Sequence, residues 1–261
     1  MAIETRDRVK LEALLRRDVL WGGYGLADLD DAHFARTRWF LADEDGSAML
    51  LLYRFADHTT VITYGDGPAA AEIAAEIEID GPCDVHLPTS HMNTVGALFE
   101  GRFEPYVRMG VERNDFRPVV LPKDIAVRAL GPADLDRVRA LQRHYPDTAF
   151  QEDHLGEEQY LGAVRRRDGK MLAMAGTHVS SQAYGVAAIG SVVTEPASRG
   201  RGLGTAITSA LCCRLFGDGQ IRLIVLNVGA GNPPAQRVYE KLRFSRPMAY
   251  FEGIGVRRRQ P

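Results

Sequence analysis

The stretch Val192–Thr205, VVTEPASRGRGLGT, decides the fold of the second half of the chain. An apolar strand, predicted over Val186–Thr194, runs into three alternating glycines and then directly into a helix predicted over Leu203–Phe216. Glycines at such a junction leave backbone N–H groups open to approach at the positive end of the helix. The stretch therefore predicts a phosphate-binding loop, to which Arg199 and Arg201 add cationic charge.

Other glycine-rich nucleotide loops do not fit this spacing. A dinucleotide fingerprint starting at Gly202 needs glycine or alanine at position 207, where Ile207 stands, and an acidic residue at the end of the next strand, where Asn227 stands. A Walker loop ends in Gly-Lys-Ser or Gly-Lys-Thr, and the sequence contains neither. An ordinary glycine turn without function stays open as the alternative.

The elements around the loop alternate between strand and helix. Further strands are predicted over Ile125–Leu130, Tyr160–Arg166, Lys170–Val179, Ile221–Asn227 and Pro247–Gly253. Further helices are predicted over Ala133–Arg143 and Pro233–Leu242. Elements of these lengths in this order predict an α/β (α+β) layer fold with a mixed sheet.

The first half of the chain repeats this order of elements. Strands are predicted over 48–55, 59–64, 83–87 and 103–111, and helices over 68–79 and 89–100. The repetition predicts a tandem duplication with a degenerate first copy, with chance alternation as the other interpretation. Asp66 and Pro68 stand in the corresponding loop, where a phosphate needs a cation and an N–H donor. This half is therefore predicted to be a scaffold without a cofactor site.

Charge divides the chain near two prolines. Residues 1–122 carry 12 basic and 21 acidic side chains, whereas residues 123–261 carry 20 basic and 13 acidic ones. Pro118 and Pro122 interrupt regular structure at the same place, so we predict domains over 1–122 and 123–261. The basic second half indicates a phosphorylated cofactor or nucleic acid, or merely a solvated face, and the overall charge of −2 disfavours nucleic acid.

Composition places the chain among globular proteins. Apolar residues make up 45% and charged residues 25%, which excludes collagenous, coiled-coil and largely disordered chains. No run approaches the roughly 18 apolar residues that a membrane helix needs, and the first residues are charged. Cys83, Cys212 and Cys213 fit neither a disulfide framework nor a metal-ligand spacing. We therefore expect a cytoplasmic protein without a metal or a membrane partner, and leave oligomerisation open.

The glycine loop resembles the pyrophosphate loop of the GNAT N-acetyltransferase superfamily, Arg/Gln-x-x-Gly-x-Gly/Ala, which Arg199, Gly202 and Gly204 match. A second family motif is similar to a series of residues further along the chain: Asn227, Asn232, Ala235, Tyr239, Leu242 and Phe244. Arg243 stands where the family usually has glycine, so we expect a different turn before the last strand. The resemblance covers roughly residues 123–255, and the two-part architecture is similar to that of glycine N-acyltransferase relatives.

The resemblance implies that acetyl-CoA is a co-substrate, lying across a splayed sheet. It implies cofactor contacts from eleven residues, which are Val192, Val193, Thr194, Arg199, Gly200, Arg201, Gly202, Leu203, Gly204, Thr205 and Asn232. A small-molecule or peptide amine would attack the thioester directly, and Tyr239 would protonate the leaving thiolate. An aromatic packing role is the alternative for Tyr239.

The general base is not determined by the sequence. The strand before the loop carries no acid or histidine over 187–194. His178 on the preceding strand is the predicted catalytic candidate, beside a water chain and a purely structural role. Glu195 follows late, and Glu152, Asp153 and His154 are weaker candidates. A longer-chain acyl-CoA transferase and a non-catalytic acyl-CoA sensor or partner-binding module remain as alternative functions.

Overall fold

The structure is a computed structural model that describes residues 1–55, 58–145, 150, 152, 155, 159–217 and 219–258. The chain forms two compact units, and neither unit is one continuous segment. Unit 1 comprises Met1–Arg108, Val228–Asn232 and Pro247–Pro261. Unit 2 comprises Met109–Asn227 and Pro233–Arg246.

The elements of the first half begin near the N-terminus, where the sequence prediction assigned none. In chain order they are β1 (Ile3–Thr5), α1 (Arg8–Leu15), α2 (Val19–Asp28), α3 (Asp31–Phe34), β2 (Thr37–Leu41), β3 (Ala48–Arg54), β4 (Thr59–Gly65), α4 (Gly67–Glu76), β5 (Pro82–Pro88), β6 (Phe99–Gly101) and β7 (Glu104–Glu112). Helix α4 begins where the Asp66 carboxylate accepts a hydrogen bond from the N–H of Ala69, and it buries Ala70, Ile73 and Ala74 at helical spacing.

The elements of the second half follow the predicted order. They are β8 (Ile125–Ala129), α5 (Leu135–Gln142), β9 (Tyr160–Arg165), β10 (Met171–Ser181), β11 (Val186–Thr194), α6 (Leu203–Gly217), β12 (Leu223–Gly229), α7 (Pro233–Glu240) and β13 (Ser245–Arg257). Helix α6 buries residues on most of its circumference, among them Leu203, Ile207 and Leu211.

Each unit contains a mixed sheet of the same topology. In unit 1, strands β1 to β4 pair antiparallel in order, and β4 then pairs parallel with β5 after the crossover helix α4. In unit 2, strands β8 to β11 pair antiparallel in order, and β11 pairs parallel with β12 after the crossover helix α6. This correspondence agrees with the predicted duplication, and the predicted fold class, a mixed α/β fold with helices against sheets, is confirmed.

The two units do not divide at the predicted boundary between residues 122 and 123, because each unit includes a segment from the other side of it. The C-terminal strand belongs to unit 1 because Tyr250–Val256 of β13 pair antiparallel with Pro82–Pro88 of β5. The segment 109–122 belongs to unit 2, where the N–H of Arg113 donates to the carbonyl of Arg222 at 2.9 Å. Backbone pairing between distant parts of the chain therefore sets the division, and local composition does not reveal it.

The helix predicted over 89–100 is wrong. The structure has single 3₁₀ turns at Thr89–His91 and Gly96–Leu98, followed by strand β6. Strand β6 pairs with Gly255–Arg257 of β13, and this long-range ladder overrides the local helical pattern.

Each unit has its own apolar core. The core of unit 1 lies between α4 and its sheet and includes Leu50, Val61, Ile73 and Val85. The core of unit 2 lies against α5 and includes residues such as Val138, Leu141, Tyr160, Met174 and Val193. Among the residues that the structure describes, no helix has the length and apolar character needed to span a membrane.

Candidate active site

Strand β11 carries a bulge shortly before the glycine loop. Between the pairs Gly176–Gly190 and Met174–Val193, β11 contains one residue more than β10. Ser191 lies in this bulge with a φ of 50°, a conformation that is uncommon and strained for a residue other than glycine. A bulge bends its strand, and this one precedes the three strand residues that the resemblance assigns to the cofactor, Val192, Val193 and Thr194.

The glycine loop follows through a 3₁₀ turn at Pro196–Ser198 and leads directly into α6. Gly200 and Gly202 have φ values of 77° and 75°, a left-handed conformation that glycine adopts without the steric cost of a Cβ atom. A Cβ atom at either glycine would meet nothing within 4 Å, which shows that the loop is open on that side. The loop therefore exposes backbone next to the first N–H groups of α6, of which Leu203, Gly204 and Thr205 form the first turn.

Arg199 is fixed by a tyrosine that the sequence analysis did not identify. The hydroxyl of Tyr145 accepts hydrogen bonds from Nε of Arg199 at 3.1 Å and from Nη2 at 2.8 Å. The same hydroxyl donates to the carbonyl oxygen of Thr194. Tyr145 thus links the end of β11 to the guanidinium of Arg199. No motif marks this tyrosine, since 54 residues separate it from Arg199.

The other charged residues of the loop are paired. Nη2 of Arg201 donates to the carboxylate of Asp124 at 2.9 Å, and both side chains are close to half exposed. Glu195 accepts hydrogen bonds from Lys170 and from the Ser198 hydroxyl, and these bonds hold the pKa of Glu195 below its ordinary value. A carboxylate that is already engaged in this way is a weak acceptor for a substrate proton.

His178 lies beside the bulge. It occupies a second irregularity of the β10–β11 ladder, between the pairs of Thr177 and Val179. Its Nε2 lies 3.3 Å from the hydroxyl of Ser191, and a Cβ atom at Gly190 would collide with its ring. The structure therefore brings the predicted histidine to the end of β11 where the sheet is irregular, and the glycine at position 190 makes room for it.

The weaker base candidates do not join this group. Glu152 forms a two-bond ion pair with Arg139, with both distances at 2.7 Å. Asp153 and His154 lie outside the described residues.

Tyr239 lies on α7 and is 6% exposed, with its ring 5.9 Å from that of Phe244. After the helix, the N–H of Phe244 donates to the carbonyl of Tyr239 at 3.1 Å, across a left-handed Arg243 with a φ of 70°. This is the helix-ending turn in which glycine is usual. The expected change of turn at Arg243 is therefore wrong, because the arginine adopts the left-handed conformation itself.

Asn232 directly precedes α7, and its N–H donates to the carbonyl of Gly229 at 3.0 Å. It lies in the segment Val228–Asn232 of unit 1, whereas Arg199 and Tyr239 lie in unit 2.

Comparison with protein families identifies this region of the chain. Residues 132–244, which include the loop, α6 and α7, match the acetyltransferase (GNAT) family. The chain contains a GNAT domain. The match of this segment to the GNAT family supports N-acetyltransferase activity in general, and the predicted resemblance is confirmed for residues 132–244. A search of curated proteins gives no match.

Solved structures share the fold of the GNAT domain and of the first half together. A Drosophila protein is 14% identical with a TM-score of 0.73, and 98% of each chain is covered. A GCN5-related N-acetyltransferase from Sphaerobacter thermophilus is 14% identical with a TM-score of 0.62, covering 99% of this chain and 96% of that one. A tandem GNAT protein from the clavulanic acid biosynthesis pathway is 12% identical with a TM-score of 0.57 over all of both chains. The fold shared with this tandem GNAT protein supports the predicted duplication of the chain.

Unit 1 lacks the loop chemistry of the GNAT domain. At the corresponding place, Asp66 caps α4 with its own carboxylate. The buried ring of His91 faces this turn, with Nε2 2.9 Å from the carbonyl of Gly65 and Nδ1 2.7 Å from the hydroxyl of Thr63. Burial lowers the pKa of His91, which favours the neutral ring. The turn is therefore occupied by groups of the chain itself.

Unit 1 contains instead a half-buried cluster of polar side chains that no pattern in the sequence indicates. His86 on β5 faces two carboxylates, with Nε2 3.0 Å from Asp84 and Nδ1 3.5 Å from Glu252 of β13. Burial lowers the pKa of His86, but these carboxylates outweigh it and the net direction is upward. The three groups meet because β5 and β13, which are far apart in sequence, pair with His86 opposite Glu252.

A fully buried arginine lies in the same unit. Nη1 of Arg108 donates to the carbonyl of Trp21 at 2.6 Å, and its guanidinium lies 4.2 Å from the Trp21 ring and 4.6 Å from the Tyr24 ring. Aromatic faces stabilise a guanidinium that is removed from water.

Proposed function

We propose that this protein is an acetyl-CoA-dependent N-acetyltransferase that acts on a primary amine of a small molecule or peptide. The observation that carries the proposal is the open loop of Gly200 and Gly202, both left-handed, which leads into the N-terminus of α6 beside Arg199. Such a loop suits a pyrophosphate, which needs close approach to backbone N–H groups and a fixed cation.

The residues around the loop fit the rest of the co-substrate. Acetyl-CoA supplies the thioester whose acetyl group is transferred. In the proposal, the backbone of Val192, Val193 and Thr194 binds the pantetheine arm, and residues 199–205 bind the pyrophosphate. Asn232 is proposed as a further contact. The bulge at Ser191 supports this assignment, because it bends β11 immediately before the strand residues concerned.

Two side chains are proposed to move protons. The acceptor amine must lose a proton before or during attack, and the leaving thiolate must gain one. We assign the first task to His178, which lies half-buried beside the hydroxyl of Ser191, and the second to the phenol of Tyr239. Glu195 and Glu152 already accept hydrogen bonds from other side chains of the protein, and this supports the choice of His178 as the base.

The free cysteines of the chain bear on where the protein resides. Cys83 and Cys212 are buried free thiols, and burial raises the pKa of Cys212, which favours its protonated form. Unpaired thiols suit a reducing compartment, and a cytoplasmic location is proposed on that basis. The proposed partner is the acceptor amine, and neither a membrane nor nucleic acid is proposed as a partner.

A panel of amines with acetyl-CoA, followed by release of free CoA thiol, tests the proposal. Polyamines, amino acids, aminoglycosides and peptide N-termini make up the panel, and propionyl- and butyryl-CoA serve as alternative donors. We expect at least one amine to release thiol fastest with acetyl-CoA. Faster release with butyryl-CoA contradicts the acetyl preference. Tight acetyl-CoA binding without any amine-dependent release favours the non-catalytic sensor.

A further inference from the structure

A basic cavity lies beside the glycine loop in unit 2. It has a volume of about 360 Å³ and is lined by Asp124, Arg165, Arg166, Arg167 and Arg201. Three of the arginines come from the end of β9 and the turn that follows it, and the fourth belongs to the glycine loop. No local pattern in the sequence connects them, since the two segments are about 35 residues apart in the chain.

The cavity has an excess of positive charge. Asp124 pairs with Arg201, and Asp168 pairs with Arg165 through several hydrogen bonds of 2.5–3.0 Å and with Arg167 at 3.8 Å. These carboxylates offset two of the four positive charges. A net charge of about +2 remains, which matches a phosphate monoester with its charge of about −1.5 to −2 near neutral pH.

Arg166 is held in place without a carboxylate. Its Nε donates to the carbonyl oxygen of Lys123 at 3.2 Å, and its backbone N–H donates to the carbonyl of Asp124 at 2.8 Å. It forms no ion pair with any residue that the structure describes. Backbone acceptors orient this guanidinium while leaving its charge uncompensated, as suits a group that meets an anion.

We infer that this cavity binds the 3′-phosphate of coenzyme A. The inference rests on the proposed function, in which the glycine loop binds the pyrophosphate of the co-substrate. It assigns the remaining phosphate, the 3′-phosphate, to the cavity. Arg201 connects the two places, since it belongs to the loop and lines the cavity. Guanidinium groups bind phosphate through paired N–H donors, and a ring of them selects a phosphate ester over an uncharged hydroxyl.

Calorimetric titration with CoA and with 3′-dephospho-CoA tests the inference, because the two ligands differ only in the phosphate concerned. We expect the wild-type protein to bind CoA at least tenfold more tightly, as the loss of a charge-assisted contact implies. In a double variant, Arg166→Ala with Arg167→Ala, the affinity for CoA should fall at least tenfold. The affinity for 3′-dephospho-CoA should stay within about twofold, so the preference largely disappears.

A matched control removes the same charge elsewhere. Arg54 and Arg102 are exposed residues of unit 1, and the double variant Arg54→Ala with Arg102→Ala should keep the full preference for CoA. Equal affinity of the wild-type protein for both ligands overturns the inference and leaves the proposed function intact, as does a preference that survives in the Arg166 and Arg167 variant. Absence of binding to either ligand contradicts the proposed function itself.

Discussion

The hydroxyl of Tyr145 accepts two hydrogen bonds from the guanidinium of Arg199, at 3.1 Å from Nε and 2.8 Å from Nη2. These bonds use one edge of the guanidinium, and within the described part of the chain its Nη1 group forms no hydrogen bond. Because the hydroxyl also donates to the carbonyl of Thr194, the orientation of Arg199 is tied to the end of β11. The tyrosine therefore orients a cation that the proposed function assigns to the pyrophosphate.

Tyr145→Phe should weaken acetyl-CoA binding by about three- to tenfold, because binding must then immobilise a long side chain that the hydroxyl now holds. Calorimetry measures this effect. The double-mutant cycle with Arg199→Ala is the control. In the Arg199→Ala background, loss of the Tyr145 hydroxyl should have no further effect. Additive losses would show that Tyr145 acts independently of Arg199.

Gly202→Ala should reduce the affinity for acetyl-CoA at least tenfold, since the methyl group would stand on the open side of a left-handed residue. The left-handed conformation itself costs alanine about 1–2 kcal/mol. Gly217→Ala is the matched control, because Gly217 ends α6 in open space without a left-handed φ. Equal affinities for the two folded variants would contradict the phosphate-loop assignment.

The local signals in the sequence were sufficient for this loop and its flanks. Strand β11 was predicted with its observed bounds, and α6 to within one residue, because an apolar run and glycine punctuation lie inside one short segment. The pairing of strands that are far apart in the chain leaves no such local signal. The local pattern predicts a helix where β6 lies, since the strand that pairs with it, β13, is about 150 residues further along the chain.

The residues of the candidate site likewise fall into two groups, those that a local motif predicts and those that only the fold brings together. Arg199, the glycines and Tyr239 were found because they belong to motifs of fixed spacing. Tyr145 and the arginines at 165–167 come to the loop only through the fold, and no spacing in the sequence indicates that they do.

Tyr239→Phe should lower turnover by about 10² or more, within the range for a lost general acid, while cofactor affinity changes little. The substitution keeps the ring that packs near Phe244, so the variant should fold. Steady-state kinetics on the amine found in the panel gives the turnover, and calorimetry gives the affinity. A variant with full turnover would place the acid elsewhere.

Arg243→Gly should raise the stability of unit 2, because arginine now occupies a left-handed turn with a φ of 70°. Relief of that conformation is worth about 1 kcal/mol, or about 2–4 °C in the midpoint of thermal unfolding. Arg243→Ala removes the same exposed side chain and keeps the backbone cost, so it should give no gain. An equal rise for both variants would assign the effect to the arginine side chain.

Asp28 should make unit 1 less stable as the pH rises. Burial raises the pKa of this carboxyl to about 8, against the opposing influence of Arg108. An unfolded aspartate titrates near 4, so the folded state holds its proton more tightly than the unfolded state does. The stabilisation from this proton is complete below about pH 4, declines between pH 4 and about 8, and is absent above that range.

Asp28→Asn keeps the shape of the protonated carboxyl and removes its titration. Denaturant unfolding at several pH values should therefore show the smallest difference from the wild-type protein at pH 4. The difference should then grow in favour of the variant by several kcal/mol, up to about 5, between pH 4 and pH 9. Asp80→Asn removes an aspartate at an exposed position of the same unit, and the stability of this variant should stay within about 0.5 kcal/mol of the wild-type value at every pH. A constant difference between Asp28→Asn and wild type across this range would contradict the raised pKa, because a group that titrates normally contributes no such slope.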